Sequence, residues 1–322
     1  MKKALITGGA GFVGSYVAKQ LIKLGYQVYI YDSFVMYLTP TPGANQVDFF
    51  QRIADVFDQI KIIRGNTLDK DFLRRQMNLV KPDVVVHLAA MPLAALAIEH
   101  TEEAFQTICG STQNLLEVLR DFEHPCRLLY VSSSMVYGDF KAPEVDEDDH
   151  PKDPKDVYGA FKLAGETIVR AYGKNYGIDA VICRPSAVYG PFDSNARVIR
   201  KFIRSAMEGT PMTMDGDGSM KLDFTYVEDC AAAIALAADH PAAKGQTFNV
   251  TRGEGRSLKE LAEIVQTHFP GTPIEYRPKP AFMPMRGTLS IKRAGEVLGY
   301  VSKISLEEGV RRYVAHLKNY EF

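Results

Sequence analysis

The 322-residue sequence has no basic run, no apolar stretch of membrane-spanning length, no internal repeat and no low-complexity segment. Its formal net charge of −1 argues against a dedicated nucleic-acid binder. A bilayer span needs about twenty consecutive apolar residues, so neither nucleic acid nor membrane is expected as a partner. Cysteine is scarce. Cys109, Cys126, Cys183 and Cys230 are scattered, lack CxxC spacing and are too few to staple a chain of this size. Reduced thiols and a cytoplasmic setting follow. The strand-like run from Lys3 leaves no room for a secretory leader.

What is present is organised around Lys3–Ser15. A short apolar run leads into Gly8, Gly9, Gly11 and Gly14, and the cluster opens an amphipathic segment with Val13, Val17, Leu21 and Leu24 on one face. This is the pattern of a strand, a tight turn and a helix. Gly8 and Gly9 permit the turn, Gly11 lets backbone approach a pyrophosphate, and Gly14 lets the helix pack on its strand. The helix N-terminus then offers free N–H groups to the phosphates. A second strand, Gln27–Tyr31, ends at Asp32, eighteen residues past Gly14. That is close to the spacing at which a carboxylate accepts from a ribose 2′-hydroxyl. An acid there repels a 2′-phosphate, so NAD is expected over NADP.

Strand-like runs at Ile60–Arg64, Val84–Leu88, Leu128–Val131 and Ile178–Cys183 alternate with helical patterns around 69–79, 102–120 and 157–175. Strands separated by such helices imply a parallel sheet with right-handed crossovers. Thr39–Gly43 reads as a surface loop near the adenosine end of the cofactor. Past Pro185 the order is less regular, with loops at Gly190-Pro191, Asp215–Gly218 and Thr251–Gly255. Helical patterns recur near 197–208, 228–238, 257–268 and 305–318. The expected fold class is α/β, a Rossmann-type doubly wound parallel sheet with a smaller C-terminal α/β substrate-binding region. Residues 1–185 form the NAD-binding part, and 186–322 mainly bind substrate, with room for a strand or helix to return to the sheet.

Two further stretches carry chemistry. Tyr130–Gly138 runs a strand into a hydroxyl-rich loop containing Ser132, Ser133 and Ser134. Tyr158 and Lys162, at i and i+4, share one helical face. A free phenol, with a pKa of about 10, is a poor base at neutral pH. A nearby ammonium and an oxidised nicotinamide both favour the phenolate, which brings Tyr158 into working range. Ser133 then holds the substrate hydroxyl.

With these stretches in hand the chain resembles the extended short-chain dehydrogenases/reductases, and within them the NAD-dependent epimerase/dehydratase family typified by nucleotide-sugar 4-epimerases. The likeness rests on Thr7–Gly14, Asp32, Gly65-Asn66, His87–Ala90, Ser132–Gly138, Tyr158–Lys162, Arg184–Pro191, Gly216–Asp229 and Arg286. It implies that Phe12, Val13, Asp32, Ser33, Asn66, Thr67, Leu88, Ala89, Ala90, Tyr158, Lys162 and Pro185 line the NAD site. It also implies that Ser133 is the catalytic hydroxyl. Asn66 replaces the family's Asp that faces the adenine amino group, and an amide oxygen still accepts that bond.

The departures narrow the substrate. Ser134-Met135 stands where the 4,6-dehydratases carry an Asp-Glu pair, and the decarboxylases also want a Glu at Met135. The family's substrate-side Asn is Ala187, and the Arg that precedes Asp223-Phe224 is Leu222. Arg286 matches an Arg that clamps the diphosphate, or is a surface cation; Arg197, Arg200 and Lys221 are further sources of charge. The expected activity is a nucleotide-sugar epimerase acting at C4 through a 4-keto intermediate, with Ser133, Ser134, Ala187, Arg197 and Arg286 facing the substrate. A dehydrogenase or keto-reductase whose substrate lacks the nucleotide is the alternative, and a silent NAD-binding protein a weaker one. The family also implies a homodimer paired through helices near 102–120 and 157–175. His87 is expected to shape the cofactor loop by hydrogen bonding. The acidic run of Glu144, Asp146, Glu147, Asp148 and Asp149 reads as a solvated loop, and Asp215–Gly218 as a turn. No metal is expected.

Overall fold

The computed structural model describes residues 1–35, 49–148, 152–195, 197–278 and 284–320. The Thr39–Gly43 loop and Asp149 lie outside the described residues. Seven strands form one parallel sheet: β1 (Lys3–Thr7), β2 (Gln27–Asp32), β3 (Ile60–Arg64), β4 (Val84–His87), β5 (Arg127–Val131), β6 (Ala180–Arg184) and β7 (Thr247–Asn249). Their order is β7-β6-β5-β4-β1-β2-β3. The order reverses between β1 and β4, and ligands of open α/β sheets bind in the crevice at such a reversal.

Both faces of this sheet are covered, which is why its strands are nearly continuous apolar runs. Ala4, Ile6, Val28, Ile30, Val84, Val86, Leu129 and Val181 point to one face, in one core with α1 (Phe12–Lys23) and the later helix 227–239. Leu5, Tyr31, Val85, Leu128, Tyr130 and Ile182 point to the other, in a core shared with α2 (Lys70–Val80), α3 (101–120) and α4 (Val157–Tyr176). The α3 span contains a π-turn, Gln106–Gly110, that the apolar spacing does not announce. Three short elements also escape a periodicity reading: helix Phe49–Ile53, 3-10 turn Ala54–Gln59 and helix Ala94–Glu99. None is long enough to show a full amphipathic stripe.

Residues past Pro185 build a second core. Phe202, Met212, Leu261, Val310 and Tyr313 are buried together, on α5 (Val198–Met207), a strand at Met212–Asp215, α7 (Leu258–His268) and α8 (Leu306–Tyr320). The intervening α6 (Val227–Asp239) instead packs on α1 and the sheet, and β7 extends the sheet beside β6. Asp156 starts α4 by accepting from Gly159 N at 2.8 Å, and Gly177, left-handed at φ 72°, ends it. Among the described residues no helix is long and apolar enough to cross a membrane. All four cysteines are unpaired.

Candidate active site

The glycine turn is held where β1 ends. Gly8 sits at φ 70°, and a Cβ there would lie 2.7 Å from Ala89 N and 2.9 Å from Leu88 C, so the turn abuts the chain leaving β4. A Cβ on Gly14 would lie 2.5 Å from Gly8 O. Gly11 is the N-cap of α1 and offers no side chain to its N–H groups, which remain available for a pyrophosphate. Asp32 accepts from Ala10 N at 2.9 Å and Phe34 N at 2.8 Å, which fixes its carboxylate beside the turn. Burial raises its pKa while those backbone donors and Arg52 oppose the shift.

Beneath the turn, His87 Nδ1 lies 2.7 Å from Thr7 Oγ1 and Nε2 lies 3.2 Å from Thr112 Oγ1. Thr7 Oγ1 also accepts from Ala89 N at 3.4 Å. Burial pushes the imidazole down to about 3, so it is neutral and shapes the Leu88–Ala90 chain rather than moving protons. Asn66 is exposed, and its Oδ1 already accepts from Leu68 N at 2.9 Å. Thr67 is buried, its carbonyl held by Asn114 at 3.2 Å.

On the neighbouring strands the hydroxyl loop and α4 converge. Ser133 Oγ accepts from Met135 N at 3.2 Å and acts on the Tyr158 phenol, favouring its ionised form. Lys162 is buried, donates Nζ to Val131 O at 2.9 Å, and sits 5.9 Å from the Tyr158 ring centroid and 5.4 Å from that of Tyr130. Burial lowers the ammonium to about 8, which still leaves it largely protonated at neutral pH. Burial raises the Tyr158 phenol, and Arg197, Ser133 and Arg286 pull it back down. The two arginines thus join a balance for which the sequence points only to the i+4 lysine and the oxidised nicotinamide.

Those arginines differ in how they are held. Arg197 Nη1 lies 3.1 Å from each carboxylate oxygen of buried Asp193, and its guanidinium stands 6.0 Å from the Phe12 ring centroid. Arg286 is half-buried, and burial lowers it to about 10 while Asp156 and Tyr158 act against that. Arg200 is buried and donates to Asp193 O, so it is structural, and Lys221 is exposed. Ser134 is buried and its N donates to Pro185 O at 2.9 Å. Ala187 adopts φ 38°, a left-handed conformation that Asn tolerates and that costs other non-glycine residues about 1–2 kcal/mol. Ala187 and Leu222 both pack against the second core.

A buried network behind α4 escaped the sequence reading. Arg184 donates Nε to Glu166 Oε1 at 2.8 Å and Nη2 to Oε2 at 2.7 Å, both side chains being fully buried. Its Nη1 donates to the Tyr137 hydroxyl at 2.8 Å, which donates to Asn249 Oδ1 at 2.8 Å. Glu166 lies four residues past Lys162, so extending the i, i+4 count would have found it. Glu147 corrects the solvated-loop expectation. It is buried and accepts from Asn249 N at 2.7 Å, because β7 brings that amide against it, while Asp148 pairs with Arg293.

The comparisons agree with this geometry. The family model described as the NAD dependent epimerase/dehydratase family matches residues 4–251. A protein of Methanocaldococcus jannaschii assigned as a UDP-glucose 4-epimerase is 32% identical over 320 residues, covering 98% of each chain. The UDP-glucuronic acid 4-epimerase of Bacillus cereus, solved with UDP-glucuronic acid and NAD, superposes with a TM-score of 0.88 at 28% identity, covering 98% of this chain and 99% of that one. The UDP-glucose 4-epimerase of Thermus thermophilus, solved with NAD, gives 0.84 at 27% identity, with 99% of each chain covered. With a glycine turn at the head of α1, Asp32 at the end of β2, and Ser133, Tyr158 and Lys162 at the sheet edge, these matches show that the chain belongs to the NAD-dependent epimerase/dehydratase family, as an NAD-dependent enzyme of the extended short-chain dehydrogenase/reductase group.

Proposed function

We propose that this protein epimerises a nucleotide-activated sugar at C4 without net oxidation. The observation that carries the reading is that Lys162 Nζ stands 5.9 Å from the Tyr158 ring while Ser133, on the loop after β5, acts on the same phenol. Bound NAD supplies a hydride acceptor and donor. Tyr158, as phenolate, takes the proton of the C4 hydroxyl, and Ser133 holds that oxygen. Lys162, fixed by Val131 O, holds the nicotinamide ribose and keeps positive charge near the phenol. Gly8, Gly11, Phe12, Val13 and Gly14 cradle the pyrophosphate, and Asp32 and Ser33 the adenosine ribose. Asn66, Thr67, Leu88, Ala89, Ala90 and Pro185 line the rest of the cofactor site.

On the substrate side, Arg286 and Arg197 replace charge and polarity that Leu222 and Ala187 do not offer, and Ser134 completes the wall. Residues 1–185 carry the cofactor and catalytic groups, and 186–322 mainly the substrate. A homodimer through α3 and α4 fits the half-exposed Phe105 and its edge contact, at 5.5 Å, with Phe161. The unpaired cysteines fit a cytosolic setting.

A second reading rests on Ala187 and Leu222, apolar side chains packed on the second core where a diphosphate contact would need polar ones. It makes the protein a dehydrogenase or keto-reductase that exchanges NAD(H) with solvent. Absorbance at 340 nm with excess NAD separates the two, since steady NADH accumulation supports the dehydrogenase. The test of the main reading is Tyr158→Phe. Turnover should fall by about 10²–10⁴-fold while NAD stays bound, and near-normal turnover would sink the assignment.

A further inference from the structure

The segment after β6 travels unusually far. Between β6 and β1 stand β5 and β4, three inter-strand steps or roughly 14 Å. Yet Pro191 meets Tyr16 and Arg197 meets Phe12, on the first turns of α1, and Arg52 ties Phe192 to Ala10 of the glycine turn. Those contacts lie at the carboxyl edge of the sheet, where open α/β sheets receive their ligands.

The segment is pinned carbonyl by carbonyl. Tyr16 donates its hydroxyl to Pro191 O at 3.2 Å. Arg52 donates Nη2 to Phe192 O at 3.0 Å and Nη1 to Ala10 O at 2.9 Å, joining the segment to the glycine turn through one guanidinium. Its Nη2 also reaches Ser194 Oγ at 3.4 Å. Asp193 O accepts from Arg200 and from the Tyr313 hydroxyl, the latter at 3.2 Å. Phe192 itself stands at φ 66°, a conformation a bulky residue keeps only when its surroundings impose it. Arg52 is 7% exposed, on the short helix Phe49–Ile53 that periodicity did not reveal. Ala10, whose carbonyl it holds, donates its own N–H to Asp32.

We propose that Arg52 is a positioning residue that latches residues 191–194 over the bound cofactor, so that NAD is retained through many turnovers and the keto intermediate is not stranded by escaping NADH. The inference rests on the cofactor and epimerase readings above. Because Asp193 holds Arg197, the same latch keeps the substrate-side cation next to Phe12. Opening the latch for cofactor exchange would then loosen substrate binding as well.

The experiment loads the full-length protein with NAD and chases it with NAD deuterated on the nicotinamide ring, following the bound isotopologue by mass spectrometry. Arg52→Met should exchange at least tenfold faster than the wild type and, with substrate and excess NAD, leak NADH that accumulates at 340 nm. Arg52→Lys, which cannot bridge both carbonyls, should fall between. Tyr16→Phe removes only the Pro191 contact and should speed exchange a few-fold; it carries the test if Arg52→Met does not fold. Exchange within twofold of wild type in all folded variants overturns the latch while leaving the epimerase reading intact. A wild-type chain that takes up no NAD overturns both.

Discussion

The proposed cofactor half and the proposed substrate half of this molecule are built by different means. At the glycine turn, specificity is a property of backbone: an absent Cβ, a left-handed Gly8, an uncapped helix N-terminus and one carboxylate held by two amides. On the proposed substrate side it depends on long side chains brought together across the sequence, such as Arg197 on Asp193 and Arg286 in the field of Asp156 and Tyr158. The first kind of site is nearly fixed once the turn forms. The second is adjustable, which is where members of one fold change substrate without changing chemistry.

The sharpest way to break this division is at the seam. Glu166 joins α4, which carries Tyr158 and Lys162, to Arg184 on β6 and so to the chain that leads to the substrate side. Glu166→Ala leaves a buried guanidinium unpaired and should cost about 3–5 kcal/mol of stability. Thermal or denaturant unfolding measures it, and a loss under about 1 kcal/mol would mean that water or another acid replaces the pair.

Arg197→Met separates the halves more gently. Removing a charged hydrogen-bonding group from the substrate should cost about 1.5–3 kcal/mol, seen as a KM raised by roughly 10–100-fold. Equilibrium NAD affinity, measured by calorimetry, should stay within a few-fold of wild type. Equal losses for cofactor and substrate would show that the two halves are not distinct.

The last test concerns the cofactor half alone. The fold holds His87 neutral, with its pKa near 3, whereas the unfolded chain protonates near pH 6.5. Its contribution is therefore fully present above about pH 6.5 and declines as pH falls toward 3, by up to about 1.4 kcal/mol per unit. Unfolding followed from about pH 7 to about pH 5 should show the decline, and His87→Gln should flatten it. An unchanged slope would place the pH dependence elsewhere.

The same contrast explains what could be read from sequence. The glycine turn, Asp32 and the Tyr158–Lys162 pair are short-range patterns, and strand alternation gave the sheet because parallel strands buried on both faces are continuous apolar runs. Glu147, Arg52 and the π-turn at Gln106–Gly110 were not legible. Glu147 is buried by a strand a hundred residues downstream, and the partners of Arg52 belong to the glycine turn and the 192–194 chain. Even at Tyr158, Lys162 was visible at i+4, but Arg197 and Arg286 arrive only through tertiary structure. Residue type and spacing show local geometry; they do not show which distant cation closes the circuit.

The central claim is that one bound cofactor takes a hydride from C4 and gives it back to the same sugar. A nucleotide sugar deuterated at C4, incubated with the enzyme and excess unlabelled NAD, tests this directly. The account predicts an epimerised product that keeps its deuterium at C4, with no NADH accumulating. Product that has lost the label to the free cofactor pool would contradict it.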